Sequence, residues 1–522
     1  MELPIHNRFN KELPADANET NITRQVLNAA FSYVTPRVPS NPKLLHASEE
    51  VAELIGISSE EMLSQDFIDV FSGKKIVPNS RPYAMAYAGH QFGNWAGQLG
   101  DGRAIVLGEV QHNNQNWMLQ LKGAGSTPYS RRADGLAVLR SSIREHLCSE
   151  AMFHLGIPTT RSLSLLLTGD EVLRDVMYDG NADYEKGAVV CRVAPSFIRF
   201  GSFELFSAKN DSVNLKLLAD FTIMYFFPEI KETGTKKYIT FFELVAKKTR
   251  QLMIHWQRVG FVHGVMNTDN MSIHGITIDY GPYGWLEDYN PNWTPNTTDN
   301  QYKRYAYGNQ PEIALWNLYQ LANALYPLIE ETKDLEVILN DFGKKYEDNY
   351  LTMMRSKLGF MISLNEDKKI ISNLEKLFSL SETDMTIFFR ELARVKKNGS
   401  IGCSISTIAC AFYKAEDIKK KTVLHEWEKW FITYINRLKK EKTSDDERKD
   451  AMNKVNPKYV LRNYMAQLAI DAANNEDYSI IKELYLVLKK PYDEQPDKEK
   501  WFAKRPEWAR EKIGCSMLSC SS

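Results

Sequence analysis

The order in which glycine turns, strand patterns and charged residues follow one another does most to limit what this chain can fold into. In the stretch GNWAGQLGDGRAIVLGEV, Gly97, Gly100 and Gly102 lead through Arg103 into a β-patterned run. After HNNQN, which reads as a hairpin turn, the next run, WMLQLKG, reaches Lys122. An amphipathic helix follows, LRSSIREHLCSEAMFHLGI, with Leu139, Ile143 and Leu147 at i, i+4, i+8 and a stop at Gly156-Ile157-Pro158. It carries Glu145. Further β-rich runs, SLSLLLTG, EVLRDVMYD and GAVVCRVA, extend the sheet, and beyond Phe206 helical periodicity takes over. In TFFELVAKKTRQLMIHWQRVG, for example, Phe241, Val245, Leu252, Trp256 and Val259 fall near one face.

Glycine-rich turn, strand, turn and strand ending in lysine is the layout of the smaller lobe of a kinase-like fold. By itself each member has an ordinary reading: the glycines mark a tight hairpin, Lys122 snorkels at the surface, and Glu145 is a solvated helix charge. Together they carry more, because a strand Lys facing a helix Glu is the ion pair that aims the Lys at nucleotide phosphates. The fold expected is therefore α+β, kinase-like and bilobal. Residues 1–82 read as an N-terminal extension, 83–206 as the β-rich lobe with its one key helix, and 207–435 as the helical lobe. Residues 436–522 read as a C-terminal helical extension with a cysteine-containing tail. The last segment, polar and punctuated by proline, is expected at the surface.

The segment GFVHGVMNTDNMSIHGITIDYGPYGW carries the most chemistry. Kinase-like enzymes have a loop in which His, Arg or Gly, and Asp are followed after four residues by Asn, and then a D-F-G-like triplet. The Asn and the second Asp bind magnesium through oxygen. Here His263-Gly264 opens the loop, Asn270 closes it and Asp279-Tyr280-Gly281 is the triplet, but the proton-accepting Asp is replaced by Val265. Losing one general base costs about 10²–10⁴ in rate. A second carboxylate, Asp269, stands beside Asn270, and retention of Lys122, Glu145, Asn270 and Asp279 together favours altered over lost chemistry. His263 reads as a loop brace. In CRVAPSFIRFGSFELF, a segment read as β-rich, Arg192 and Arg199 add guanidinium groups suited to phosphate oxygens, more cation than phosphorylation needs.

Composition sets the outer limits. With 65 basic and 66 acidic side chains and a net charge of −1, no global field draws the chain to nucleic acid or an anionic membrane. Six cysteines without paired ligand spacing argue for a reducing compartment and against structural zinc. The first residues have neither an apolar h-region nor an Arg-rich, acid-poor pattern. Apolar runs such as Leu163 to Leu167 fall far short of the roughly 18 residues that span a bilayer. A cytoplasmic enzyme, monomeric and without nucleic-acid or membrane partners, is the expectation.

At this level of detail the sequence resembles the selenoprotein O family, the YdiU-like proteins, pseudokinase-fold enzymes that adenylylate or uridylylate protein hydroxyls. The resemblance covers most of the chain. It rests on AYAGHQFGNWAGQLGDGRA, LQLKGAGSTPYSRRADGLAVLRSSIREHL, RVAPSFIRFGSFE, HGVMNTDNMSI with IDYGPYGW, YGNQPEIALWNL and NPKYVLRNY. It implies nucleotide contacts from Gly100, Gly102, Arg103, Lys122, Asp134, Gly135, Arg192, Arg199 and Asp279. It also implies a base at Asp269 and Mg²⁺ or Mn²⁺ at Asn270 and Asp279, with ATP, or UTP, held inverted so that AMP or UMP passes to a protein. Asp134-Gly135 would otherwise read as a turn. Family members commonly end in Cys or selenocysteine two residues from the terminus, as Cys520-Ser521-Ser522 does, and some bacterial relatives bridge it to a cysteine after the triplet. Here no cysteine lies between Asp279 and Cys403, and Pro295 occupies the corresponding position. Cys520 is left to pair with Cys515 or to act as a redox-responsive thiol. Two other readings stay open: an ordinary kinase transferring the γ-phosphate, and a non-catalytic ATP-binding scaffold.

Overall fold

The computed structural model describes residues 1–515 and 517–519, so Cys520 and its expected redox role lie outside the described residues. The chain is a mixed α/β molecule built on one antiparallel sheet and many helices. Ten strands concern the site: β1 Phe31–Tyr33, β2 Lys43–Ala47, β3 Tyr83–Met85, β4 Ala88–Gln91, β5 Asn94–Gln98, β6 Ala104–His112, β7 Gln115–Lys122, β8 Ala137–Val138, β9 Arg161–Arg174 and β10 Asp183–Ala194. The main sheet runs β1-β3-β6-β7-β10-β9-β2, with β8 against β10, while β4 and β5 form a separate hairpin.

The β6–β7 turn is the two-residue loop Asn113-Asn114, both at positive φ, which matches the right-handed twist of the flanking strands. Strand alternation then assigns the faces. Val106, Met118, Ala188 and Val190 join the core beneath the helix Leu139–His154, whose Ile143 and Leu147 are fully buried. Their neighbours Ile105, Leu107, Leu119, Leu121, Val189 and Cys191 face the other way, onto Val51, Ile55, Phe67 and Phe71. Residues before 83 therefore supply two outer strands and the cover of one sheet face. β1 and β2 are too short for alternation to reveal them.

Two other segments differ from their sequence patterns. The runs read as two strands, SLSLLLTG and EVLRDVMYD, form the single strand β9 up to Arg174. Arg199 does not continue a β-rich run but precedes the helix Phe200–Ser207, in which Phe200 and Phe203 are buried in the main core. Further on, the helices Thr235–Val259, Gln310–Ile329 and Lys333–Leu358 pack together. A second core gathers Phe378, Phe388, Trp427 and Trp430. The helices Asn463–Asn474 and Ser479–Leu488 return to pack on the helix Leu139–His154. The last segment is not simply superficial either: Trp501, Ala509, Cys515 and Leu518 are buried, and Leu518 exchanges backbone hydrogen bonds with Pro295 and Thr297. Among the described residues no helix is long and apolar enough to cross a membrane.

Candidate active site

Strand register brings the first part of the site together. In the β7–β10 ladder Val190 lies opposite Lys122 and Arg192 opposite Gln120. Positions 120 and 122 share a face, and that face is the one the helix Leu139–His154 covers. Glu145 of that helix meets Lys122 with Nζ–Oε2 at 2.5 Å, and its other oxygen accepts from Arg192 Nη1 at 3.2 Å. Burial pushes the Lys122 amine below its usual range, while Glu145 opposes that shift.

The second part comes from the loops after the helix Thr235–Val259. Asp279, at φ +56°, takes Arg192 Nη1 on Oδ1 and Arg199 Nη1 on Oδ2, both at 2.5 Å. Burial alone would raise its carboxyl. Arg199, Arg192 and Lys122 outweigh burial and hold it far below the carboxylate range. Arg199 Nη1 also donates to the Asp269 carbonyl at 2.7 Å, and its guanidinium lies 4.4 Å from the Tyr87 ring centre. In the 263–270 loop, His263 Nε2 lies 2.8 Å from Ile278 O while Nδ1 accepts from the Val265 N–H, so this residue braces the loop. Asn270 Nδ2 donates to Val265 O at 2.9 Å. Asp269 sits on the short turn Thr268–Asn270, and burial pushes its carboxyl up to about 7.

These residues line a cleft of about 700 Å³: Gly100, Gly102, Arg103, Lys122, Asp134, Gly135, Arg192, Asp269, Asn270 and Asp279 are on its wall. Glu145 and Arg199 are not part of that wall. The glycine turn is shaped by its own neighbours. Gly100 is at φ +117°, where a Cβ would stand 2.4 Å from Tyr129 Cγ, and at Gly102 it would meet Tyr129 O at 2.8 Å. Asp134 is clamped by both Arg174 Nη atoms at 2.8 Å, and at the next residue, Gly135, a Cβ would collide with the Gly125 carbonyl.

Some members carried no separate signal in the sequence reading. Asp101, buried between the two glycines, accepts from Met85 N and Gln120 Nε2 and lies 3.8 Å from Arg199, and burial raises it to about 6. Gln120 also accepts from Arg192 Nη2. Its position two residues before Lys122 was the available clue. Gln91 and Tyr87 belong to a motif whose length, not its individual side chains, was informative.

The ensemble offers three cations around one ionised carboxylate, with a second, buried carboxylate nearby, an arrangement suited to holding polyphosphate and moving a proton. Residues 16–489 match the family model described as protein adenylyltransferase SelO. Among curated relatives, a protein nucleotidyltransferase YdiU of Flavobacterium johnsoniae is 65% identical over 520 residues, covering 100% of this chain and 99% of that protein. Proteins of the same name from Rhodopirellula baltica and Aromatoleum aromaticum are 51% and 52% identical, each covering 100% of this chain and 100% and 99% of their own lengths. This chain belongs to the protein adenylyltransferase SelO family.

Proposed function

We propose that the chain transfers AMP from ATP, or UMP from UTP, to Ser, Thr or Tyr hydroxyls of other proteins and releases pyrophosphate. The observation that carries this is the pairing of Arg192 and Arg199 with Asp279, and of Lys122 with Glu145, around a cleft where Val265 stands in place of the kinase base and Asp269 is buried nearby. In this reading Gly100, Gly102, Arg103, Asp134 and Gly135 complete the nucleotide site, and Glu145 holds Lys122. The smaller lobe of a kinase-like bilobal molecule corresponds to 83–206 and the larger to 207–435, flanked by 1–82 and 436–522.

The donor atoms suit a hard divalent cation. Asp279 offers carboxylate oxygens, and Asn270, its amide nitrogen committed to Val265 O, offers the amide oxygen. When bound, Mg²⁺ or Mn²⁺ neutralises phosphate charge and polarises a phosphoryl oxygen. The protein's own part is to take and hold. Asp269 accepts the hydroxyl proton as the oxygen bonds to the α-phosphorus, and the bond from that phosphorus to the bridging oxygen breaks. Lys122 and Arg192, on the cleft wall, then stabilise the leaving pyrophosphate, with Arg199 acting behind them through Asp279.

The Lys122–Glu145 pair would serve γ-phosphate transfer equally well, so the test must separate the two. With ATP labelled on either the α- or the γ-phosphate, α-label alone should enter an acceptor protein. Incorporation of γ-label would establish a kinase, and binding without incorporation would establish a scaffold.

A further inference from the structure

The β4–β5 hairpin is absorbed by none of the roles above, yet it is clamped onto the loop that carries Asp269. The His90 N–H donates to Thr268 Oγ1 at 2.8 Å and the Phe92 N–H to Asn267 Oδ1 at 3.1 Å. Tyr305 O–H holds the same Asn267 oxygen at 2.5 Å, and the His90 ring meets Glu204 Oε1 at 2.6 Å. The fit is tight: a Cβ on Gly89 would stand 2.8 Å from Thr268 Oγ1 and 3.2 Å from Asp269 Oδ1. Gln91, fixed between the two anchored backbone amides, points Nε2 at Asp269 Oδ2, 3.2 Å away. Among the described residues it is the only side chain hydrogen-bonded to that carboxylate. The other oxygen, Oδ1, is buried and has no partner.

We infer that Gln91 is a positioning residue for nucleotidyl transfer: its amide donates to Asp269 Oδ2 and fixes the orientation in which that carboxylate meets the acceptor hydroxyl. This rests on the reading of Asp269 as the base. A carboxylate with one oxygen engaged is held in one orientation. Without the amide it can rotate, and the competent geometry becomes one of several. Gln91 makes no hydrogen bond to Lys122, Arg192 or Arg199, so its removal should spare the grip on phosphates.

The test is steady-state transfer of α-labelled AMP to casein by the full chain, with Mn²⁺ present. Gln91→Met keeps the length of the side chain and removes the donor. Gln91→Glu keeps its shape and replaces the donor by a second carboxylate. Both should lower kcat roughly 10- to 100-fold while the KM for ATP stays within about two-fold. In an Asp269→Ala background Gln91→Met should cause no further loss, since the group it positions is gone. A wild-type kcat in either variant overturns the inference, as does a change confined to KM or a full additional loss in the double variant. Unchanged thermal melting in Gln91→Glu guards against a folding explanation. If Asp269→Ala retains full activity, or wild-type protein transfers no α-label, the base itself is misassigned and this inference falls with it.

Discussion

Asp279 is the residue on which the charges of the site meet. Two guanidinium groups hold one oxygen each and Lys122 adds its field, so the carboxylate stays ionised although only part of it reaches solvent. Asp269, a short loop away, has the opposite balance: burial dominates, and Gln91 and Arg199 offset it only in part. Two neighbouring carboxylates pushed apart in this way suit different tasks. Asp269→Ala is expected to lower AMP transfer by about 10²–10⁴ while ATP affinity, read by calorimetry, is retained. Lys122→Ala should do the reverse to binding, weakening ATP affinity measurably as well as slowing transfer, because it removes a cation from the phosphate-holding set. An unchanged affinity in that variant would show that the amine does not touch the nucleotide.

At the scale of elements, the site depends on register and close approach. A one-residue slip of β7 against β10 would turn Lys122 and Gln120 to the opposite face of the sheet, away from Glu145. The hairpin β4–β5 is seated just as closely from below. At Gly201, in the first turn of the helix Phe200–Ser207, a Cβ would come within 2.1 Å of the Ala88 carbonyl oxygen and 3.5 Å of Asp269 Cα. Gly201→Ala must therefore move either that helix, which begins just after Arg199, or the hairpin that carries Gln91. It is expected to cost roughly 1–3 kcal/mol in denaturant unfolding and to depress transfer more than ATP binding. Nothing in the local sequence RFGSFELF demands glycine there, since a helix interior favours alanine. The requirement comes from a strand more than a hundred positions away in the chain.

Over the whole molecule, buried ionic contacts tie the C-terminal region to the segment after the D-Y-G triplet. Arg462, almost fully buried, donates to both oxygens of Asp384 at 2.7 and 2.9 Å and to Glu287 at 2.7 Å. Removing it leaves two buried carboxylates, so Arg462→Met should lower unfolding free energy by about 3–5 kcal/mol in guanidinium titrations. A second tie is pH-sensitive. His46 of β2 and His146 meet at 2.9 Å, and burial pushes each from 6.5 down to about 3. The folded state then binds fewer protons than the unfolded chain. This stability is complete above about pH 6.5 and is lost as pH falls toward 3, at up to about 1.4 kcal/mol per unit for each ring. His46→Gln should flatten the fall of melting temperature below pH 6.5, and an unchanged slope would remove the pair from that role. Much of this was legible beforehand. The strand patterns of β6, β7 and β10, the buried face of the helix Leu139–His154, and the residues Lys122, Glu145, Arg192, Asp269, Asn270 and Asp279 stand out from periodicity, residue type and long rare motifs. Which chemical groups the chain possesses, and which local elements carry them, thus follows from short-range spacing. That Asp101 and Gln120 sit behind the arginines, that residues before 83 build two outer strands, and that Gln91 reaches Asp269 emerges only once the chain is folded. These are contacts between segments far apart in the chain, fixed by strand register and packing, which no local pattern encodes.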